Sequence, residues 1–274
     1  MKAEILLRFL RNPAGVVAGL YIVMLFLILV ATMFWNIDPA AIGDGVTLPP
    51  SSEHLLGTDE LGRDILTSLL FGVQVSLLVG ISAALGASII GTIVGAFAGY
   101  FGGLIDKTLM RVTEFFQVVP SFIIASVIVA MTGAGLSRVV AVIAFLSWPQ
   151  IARITRSQVL RVKELEFVDA VRCLGKGELT ILFREVLPNS LSPALALGTL
   201  TIGQAILLEA SLSFFGLSSV DTMSWGRMLN SGQRFLFNAW WMSVFPGAAI
   251  FCTVLAFNIF GDAVSSALNP KVGQ

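Results

Sequence analysis

RITRSQVLRVKELEFVDAVRCLGKGELTILFREVLP, residues 153–188, is a polar island between two very apolar runs. It holds Arg153, Arg156, Arg161, Lys163, Arg172, Lys176 and Arg184, seven of the chain's seventeen Lys and Arg residues, together with five of its seventeen acids. Phe167, Ala170, Val171 and Leu174 recur at i, i+3, i+4 and i+7, while Glu166, Asp169 and Arg172 fall on the other side, the pattern of a short amphipathic helix. Gly175 follows the last periodic residue and can take the left-handed conformation that ends a helix. A second short helix is expected over residues 178–187, stopped by Pro188. A charged helix-turn-helix between membrane spans reads as a docking element for a soluble partner. The competing reading is an amphipathic helix resting on lipid headgroups, against which stands the mixed sign of its polar face.

Outward from this island the chain is apolar. Of its 274 residues 56% are hydrophobic and 12% charged, and the mean hydropathy is +0.88. A helical span needs about 20 mostly apolar residues to cross roughly 30 Å of hydrocarbon. Several stretches reach that length, so the expected fold is an all-α polytopic membrane protein. A formal net charge of zero gives no sign of a nucleic-acid partner. Cys173 and Cys252 fall at different depths and offer no disulfide or metal-ligand spacing, and His54, the single histidine, cannot build a metal site alone. No Ser-His-Asp set, carboxylate pair or metal-ligand cluster emerges, which argues against a membrane hydrolase.

Six spans are expected, at about residues 14–34, 71–97, 112–131, 139–154, 193–215 and 240–260. The fourth is the weakest, because Trp148, Pro149 and Gln150 interrupt it. Residues 36–68 form a loop carrying Asp38, Asp44, Glu53, Asp59, Glu60 and Asp64 against one cation, Arg63. Residues 99–107 read as a short turn. Ala87, Gly91, Gly95 and Gly99 stand at four-residue intervals in the second run and let another helix approach closely. The chain divides into an N-terminal part, residues 1–70, and a core of five spans, residues 71–274, whose docking loop covers residues 153–190. With the N-terminus inside, the inner segments hold thirteen Lys and Arg residues, among them Lys2 and Lys271, and the outer segments four. The bias of basic residues toward the cytoplasm therefore places both termini and the docking loop inside.

The island resembles the EAA loop of permease subunits from binding-protein-dependent ABC importers. That pattern stands here as Asp169-Ala170-Val171, then Gly175, then Leu187-Pro188-Asn189. Residues 56–64 (LGTDELGRD), 209–217 (EASLSFFGL), Trp225-Gly226 and residues 257–262 (FNIFGD) are similar to the second permease of the dipeptide, oligopeptide and nickel group. The resemblance covers nearly the whole chain. It implies a type I importer permease fold of six transmembrane helices, with a coupling helix-turn-helix between helices 4 and 5, in a bacterial inner membrane. It further implies a homologous permease as partner, one or two ATP-binding subunits and an extracytoplasmic substrate-binding protein. The chain has no Gly-x-x-x-x-Gly-Lys-[Ser/Thr] loop, so it is expected to bind no cofactor itself, with ATP and Mg on the partner subunits. A peptide cargo is expected first, a nickel chelate as the alternative. A self-sufficient secondary transporter is the reading from another class, and six spans without an internal repeat argue against it.

Under this resemblance Glu166, Phe167, Asp169, Ala170, Val171, Leu174, Gly175, Leu187 and Pro188 are the expected ATPase-coupling residues. The apolar face lies in a groove of the ATPase, and Gly175 acts as the pivot between the two short helices. In the fifth span, Gln204, Glu209 and Ser213 are candidates for the pathway or the seam with the second permease, since a charge within a span tends to face protein or water. A structural hydrogen-bond anchor for the outer loop is the other reading of Glu209. Asp59, Arg63, Asp64 and Trp225 are candidate contacts for the binding protein, the stretch 57–64 being read alternatively as a structured turn bracing the second span.

Overall fold

The computed structural model describes residues 8–39, 41–43, 45–218 and 222–268. Lys2, Asp44 and Lys271 lie outside the described residues. Helix α1, Pro13–Phe34, begins with proline at its first position, and the Asn12 side chain accepts from Gly15 N at 3.1 Å. Residues 45–64 fold into a loop, after which Asp64 caps α2, Ile65–Phe101, by accepting from Thr67 N at 2.9 Å. The turn expected over residues 99–107 shrinks to the pair Gly102 and Gly103, at φ +65° and +57°, a region open to glycine. Helix α3, Gly103–Val118, starts at once. Helices α4, Ser121–Thr132, and α5, Leu136–Val162, follow. The polar island forms α6, Glu166–Cys173, and α7, Glu178–Ile181. A π-helical turn, Leu182–Val186, leads into α8, Leu187–Phe214. Then come α9, Trp225–Gly232, a 3-10 turn, Gln233–Phe235, and α10, Trp241–Leu268.

Among the described residues five helices are long and apolar enough to cross a membrane, and the pair α3–α4, bent by 85°, makes a sixth passage if both arms count as one. The break therefore falls in the third passage and not in the fourth. Val119, before Pro120, is extended at φ −91° and ψ 132°, as a residue preceding proline prefers. Trp148 also precedes a proline, yet α5 runs straight through Pro149. Close packing on α2 explains the difference. The two form the most extensive helix pair in the molecule. A Cβ placed at Gly91 would lie 2.7 Å from the Trp148 carbonyl oxygen, and one at Gly99 would lie 2.8 Å from that of Arg156. The small-residue ladder thus seats α5 inside this chain.

A second correction concerns Pro188, expected to stop the second short helix. It stands in the first turn of α8, and the chain is helical without interruption from Glu178 to Phe214. The π turn explains this. Leu187 N donates to Leu182 O, five residues back, and Asn189 Nδ2 and Ser190 Oγ donate to the carbonyls of Glu185 and Val186 at 2.6 and 2.8 Å. Carbonyls near the proline, which has no N–H to offer, thereby keep partners. Helix α1 lies against α10, where Tyr21 and Thr253 hydroxyls meet at 3.3 Å.

Candidate functional site

Helix α6 is held from behind. Val168, fully buried, and Val171, half-buried, rest on a cluster of Ala96, Tyr100, Val159, Val162, Ile181, Leu182 and Val186, which Leu187 also joins. Burying a valine side chain stabilises by about 1.5–3 kcal/mol. Four of the predicted coupling residues on α6, Glu166, Phe167, Asp169 and Ala170, are exposed, as are Leu174, Gly175 and Pro188 beyond it. Val171 departs from the expected outer face and belongs to the anchor. Leu174 stands 78% exposed, and Leu165, Phe167, Leu179 and Phe183 are exposed as well. Gly175 has φ +76° and open space around its Cα, so it ends α6 in the left-handed conformation.

Polar contacts tie this segment to the rest of the bundle. Lys163 Nζ donates to the carbonyls of Gly99 and Tyr100 at 2.8 and 3.3 Å, where α2 leaves its last carbonyls free. The Tyr100 hydroxyl donates to the Glu178 carboxylate. Arg172 lies 3.9 Å from the other Glu178 oxygen and donates to Asp169 Oδ1 at 2.8 Å. Lys176 pairs with Glu185 at 3.0 Å. Arg156 grips Asp106 on α3 through two bonds of 2.5 and 2.6 Å, a fork that fixes direction as well as distance.

The bent pair, α5 and α8 enclose an open cleft of about 680 Å³. Its polar lining is Gln117, Ser121, Ser147, Gln150, Gln204 and Ser211, set among Phe116, Phe122, Leu146 and Leu207. Pro120 and Pro149 both reach its wall, so the kink in the third passage opens the space. Arg153 Nη1 donates to Gln117 Oε1 at 2.9 Å from below. Of the residues expected at the pathway or seam, Gln204 lines this cleft. Glu209 and Ser213 do not: they are 2% and 1% exposed, and Ser213 Oγ donates to Glu209 Oε1 at 2.5 Å. Ser224 Oγ, which caps α9, lies 3.4 Å from Ser213 Oγ. Gly226 lies so close to this pair that a Cβ there would meet the Ala210 carbonyl at 2.6 Å.

The outer loop is a built turn. Thr58 Oγ1 donates to Gly45 O at 2.7 Å and accepts from Leu48 N at 2.8 Å. Asp59 Oδ1 accepts from Leu61 N and Arg63 N, each at 2.8 Å. Burial pushes the Asp59 carboxyl above its usual range, partly offset by those two N–H groups. Asp64 caps α2 and meets His54 Nδ1 at 3.0 Å. Asp59, Arg63 and Asp64 are half-buried. Trp225 is 1% exposed, because its ring packs on Gly72 and its Nε1 donates to Leu69 O at 2.9 Å. It offers no free face to a binding protein, which corrects the expectation placed on it. Among the described residues no group of three His, Cys, Asp or Glu side chains is placed to hold a metal.

Residues 91–274, from the small-residue ladder through the coupling segment to α10, match the family described as binding-protein-dependent transport system inner membrane component. The chain belongs to this family. The permease is 39% identical over 273 residues to the glutathione transport system permease protein GsiD of Pectobacterium atrosepticum, covering 97% of this chain and 89% of that protein. It is 38% identical over 269 residues to the GsiD protein of Shigella flexneri serotype 5b, with the same coverage of each. Among solved structures it is similar to two crystal forms of the MetNI methionine ABC transporter in inward facing conformations. Their TM-scores are 0.60 and 0.59 at 19% and 18% identity, covering 75% and 74% of this chain and 98% and 96% of those chains. The permease therefore has the type I importer permease fold, and it is the multi-pass membrane component of a binding-protein-dependent ABC importer.

Proposed function

We propose that the permease carries short peptides inward, sharing one pathway with a homologous permease and driven by ATPase subunits that grip α6. The observation that supports this best is the mounting of α6: a valine anchor behind, and an exposed apolar front with a charged rim. That is the arrangement of a helix laid into a partner's groove. Closure of the ATPase pair would move α6 as a rigid body, and α5 and α8, attached at either side, would switch the cleft between inward-open and outward-open. ATP and Mg belong to the partner subunits, since the chain carries no phosphate loop. The peptide reading draws on relatives named for glutathione, itself a tripeptide. Both termini and α6 face the cytoplasm, where the basic residues concentrate, and an extracytoplasmic binding protein delivers cargo to the opposite side.

Gly175 fixes the angle between α6 and α7. Gly175→Val forces a β-branched residue into the left-handed region at a cost of about 1–2 kcal/mol, and we expect it to lower cargo uptake per ATP hydrolysed without preventing assembly. Affinity purification of the tagged chain in mild detergent tests the whole reading. Recovery of a second permease and ATPases, with ATP-dependent peptide uptake after reconstitution, is the expected result. A homo-oligomer that transports without ATP would overturn the importer assignment, and uptake of nickel chelates in place of peptides would overturn the cargo.

A further inference from the structure

The polar side chains in the wall of the cleft are all uncharged. Gln117, Gln150 and Gln204, on α3, α5 and α8, are exposed, and no residue lining the space carries an ionisable side chain. We propose that these three glutamines form a cargo-contact surface that hydrogen-bonds peptide backbone amides and leaves the passage indifferent to the charge of the cargo's side chains. The proposal deepens the peptide-importer reading and rests on it.

Three observations carry it. A glutamine amide presents two donors and an acceptor, the complement of a peptide group, which also offers a donor and an acceptor. Arg153 occupies the Gln117 oxygen, so that side chain is held in place with its NH₂ group left to donate. Finally, the cleft volume of about 680 Å³ falls within the 300–1,000 Å³ typical of pockets that take drug-sized molecules, a range that includes a tripeptide. Charged side chains lining the cleft would trap cargo of opposite sign and reject the same sign, because attraction strengthens as water is excluded; Arg153, which bonds Gln117 Oε1, is not among the lining residues. An uncharged amide wall holds every peptide weakly, and transport requires binding weak enough for release.

The test uses the complete importer with its binding protein in proteoliposomes, supplied with ATP and saturating Ala-Ala-Ala, Ala-Lys-Ala or Ala-Glu-Ala. In the native complex the maximal uptake rates of the three should agree within about threefold. Gln150→Glu should raise the ratio of the lysine to the glutamate peptide by about tenfold, and Gln150→Lys should lower it by a similar factor. Gln204→Met, which keeps the volume and removes the amide, should slow all three peptides about equally while ATP hydrolysis still responds to the binding protein. Unchanged ratios in both Gln150 variants, or Gln204→Met uptake within twofold of native, in complexes that assemble and hydrolyse ATP, would overturn the proposal. Failure of the native complex to take up any of the peptides, with its ATP hydrolysis intact, would overturn the peptide reading and this proposal with it.

Discussion

At the scale of single residues, the segment around α6 separates side chains that hold it from side chains that face outward. Val168 is fully buried and Leu174 is 78% exposed, so one substitution at each has opposite consequences. Val168→Asp buries a charge without a partner and should destabilise the permease by about 3 kcal/mol or more, seen as a lowered Tm in detergent. Leu174→Asp should leave Tm within the roughly ±0.5 kcal/mol range of surface changes yet abolish recovery of the ATPase on purification. Tyr100→Phe removes only the hydroxyl that donates to Glu178. Bonds to charged groups are worth about 1.5–3 kcal/mol, and the measurable consequence should be more ATP hydrolysed per cargo molecule moved, with assembly unchanged. Val168 escaped the sequence reading because an eight-residue helix shows too few positions to separate one apolar stripe from its neighbour. Among the glutamines of the cleft, Gln204 was legible as a pathway candidate and Gln150 only as part of the interruption beside Pro149, while Ser211, which joins them, carried no signal.

At the scale of elements, the number and order of the membrane passages could be read from hydropathy, because each must cover a fixed thickness of hydrocarbon. The bends could not. Pro120, Pro149 and Pro188 look alike in sequence, and three different surroundings decide their effects. The sparsely covered pair α3–α4 turns by 85° at Pro120, the close packing on α2 keeps α5 continuous through Pro149, and an added residue absorbs Pro188. A π turn is an α-helix with one residue inserted. Deleting Phe183, exposed within that turn, removes the residue the turn absorbs, so α-helical winding should return with α6 and α7 in nearly the same orientation to α8. The expected product folds, inserts, keeps its cleft and retains ATPase activity that responds to cargo-loaded binding protein. A shortened chain that loses this response would show that coupling needs the π turn itself.

At the scale of the whole molecule, the native cysteines offer a test of orientation without mutation. Cys173 is exposed at the end of α6, and Cys252 is exposed along α10, where lipid would surround it. A membrane-impermeant maleimide should label Cys173 in inverted vesicles stripped of ATPase subunits, leave it unlabelled in right-side-out vesicles, and spare Cys252 in both. Labelling of Cys173 from the outside would reverse the topology drawn from the basic residues. The uninterrupted helix from Glu178 to Phe214 has a mechanical consequence as well. Its 37 residues extend about 55 Å at 1.5 Å each, against roughly 30 Å of hydrocarbon, so some 25 Å projects beyond the bilayer core as a lever arm. A tilt of roughly 10°, comparable to the rigid-body rotations of switching proteins, would move the free end of that arm by about 4 Å. Under the proposed reading, the stroke that ATPases deliver to α6 and the opening of the cleft are tied by leverage, and the length of one helix sets the gear ratio between them.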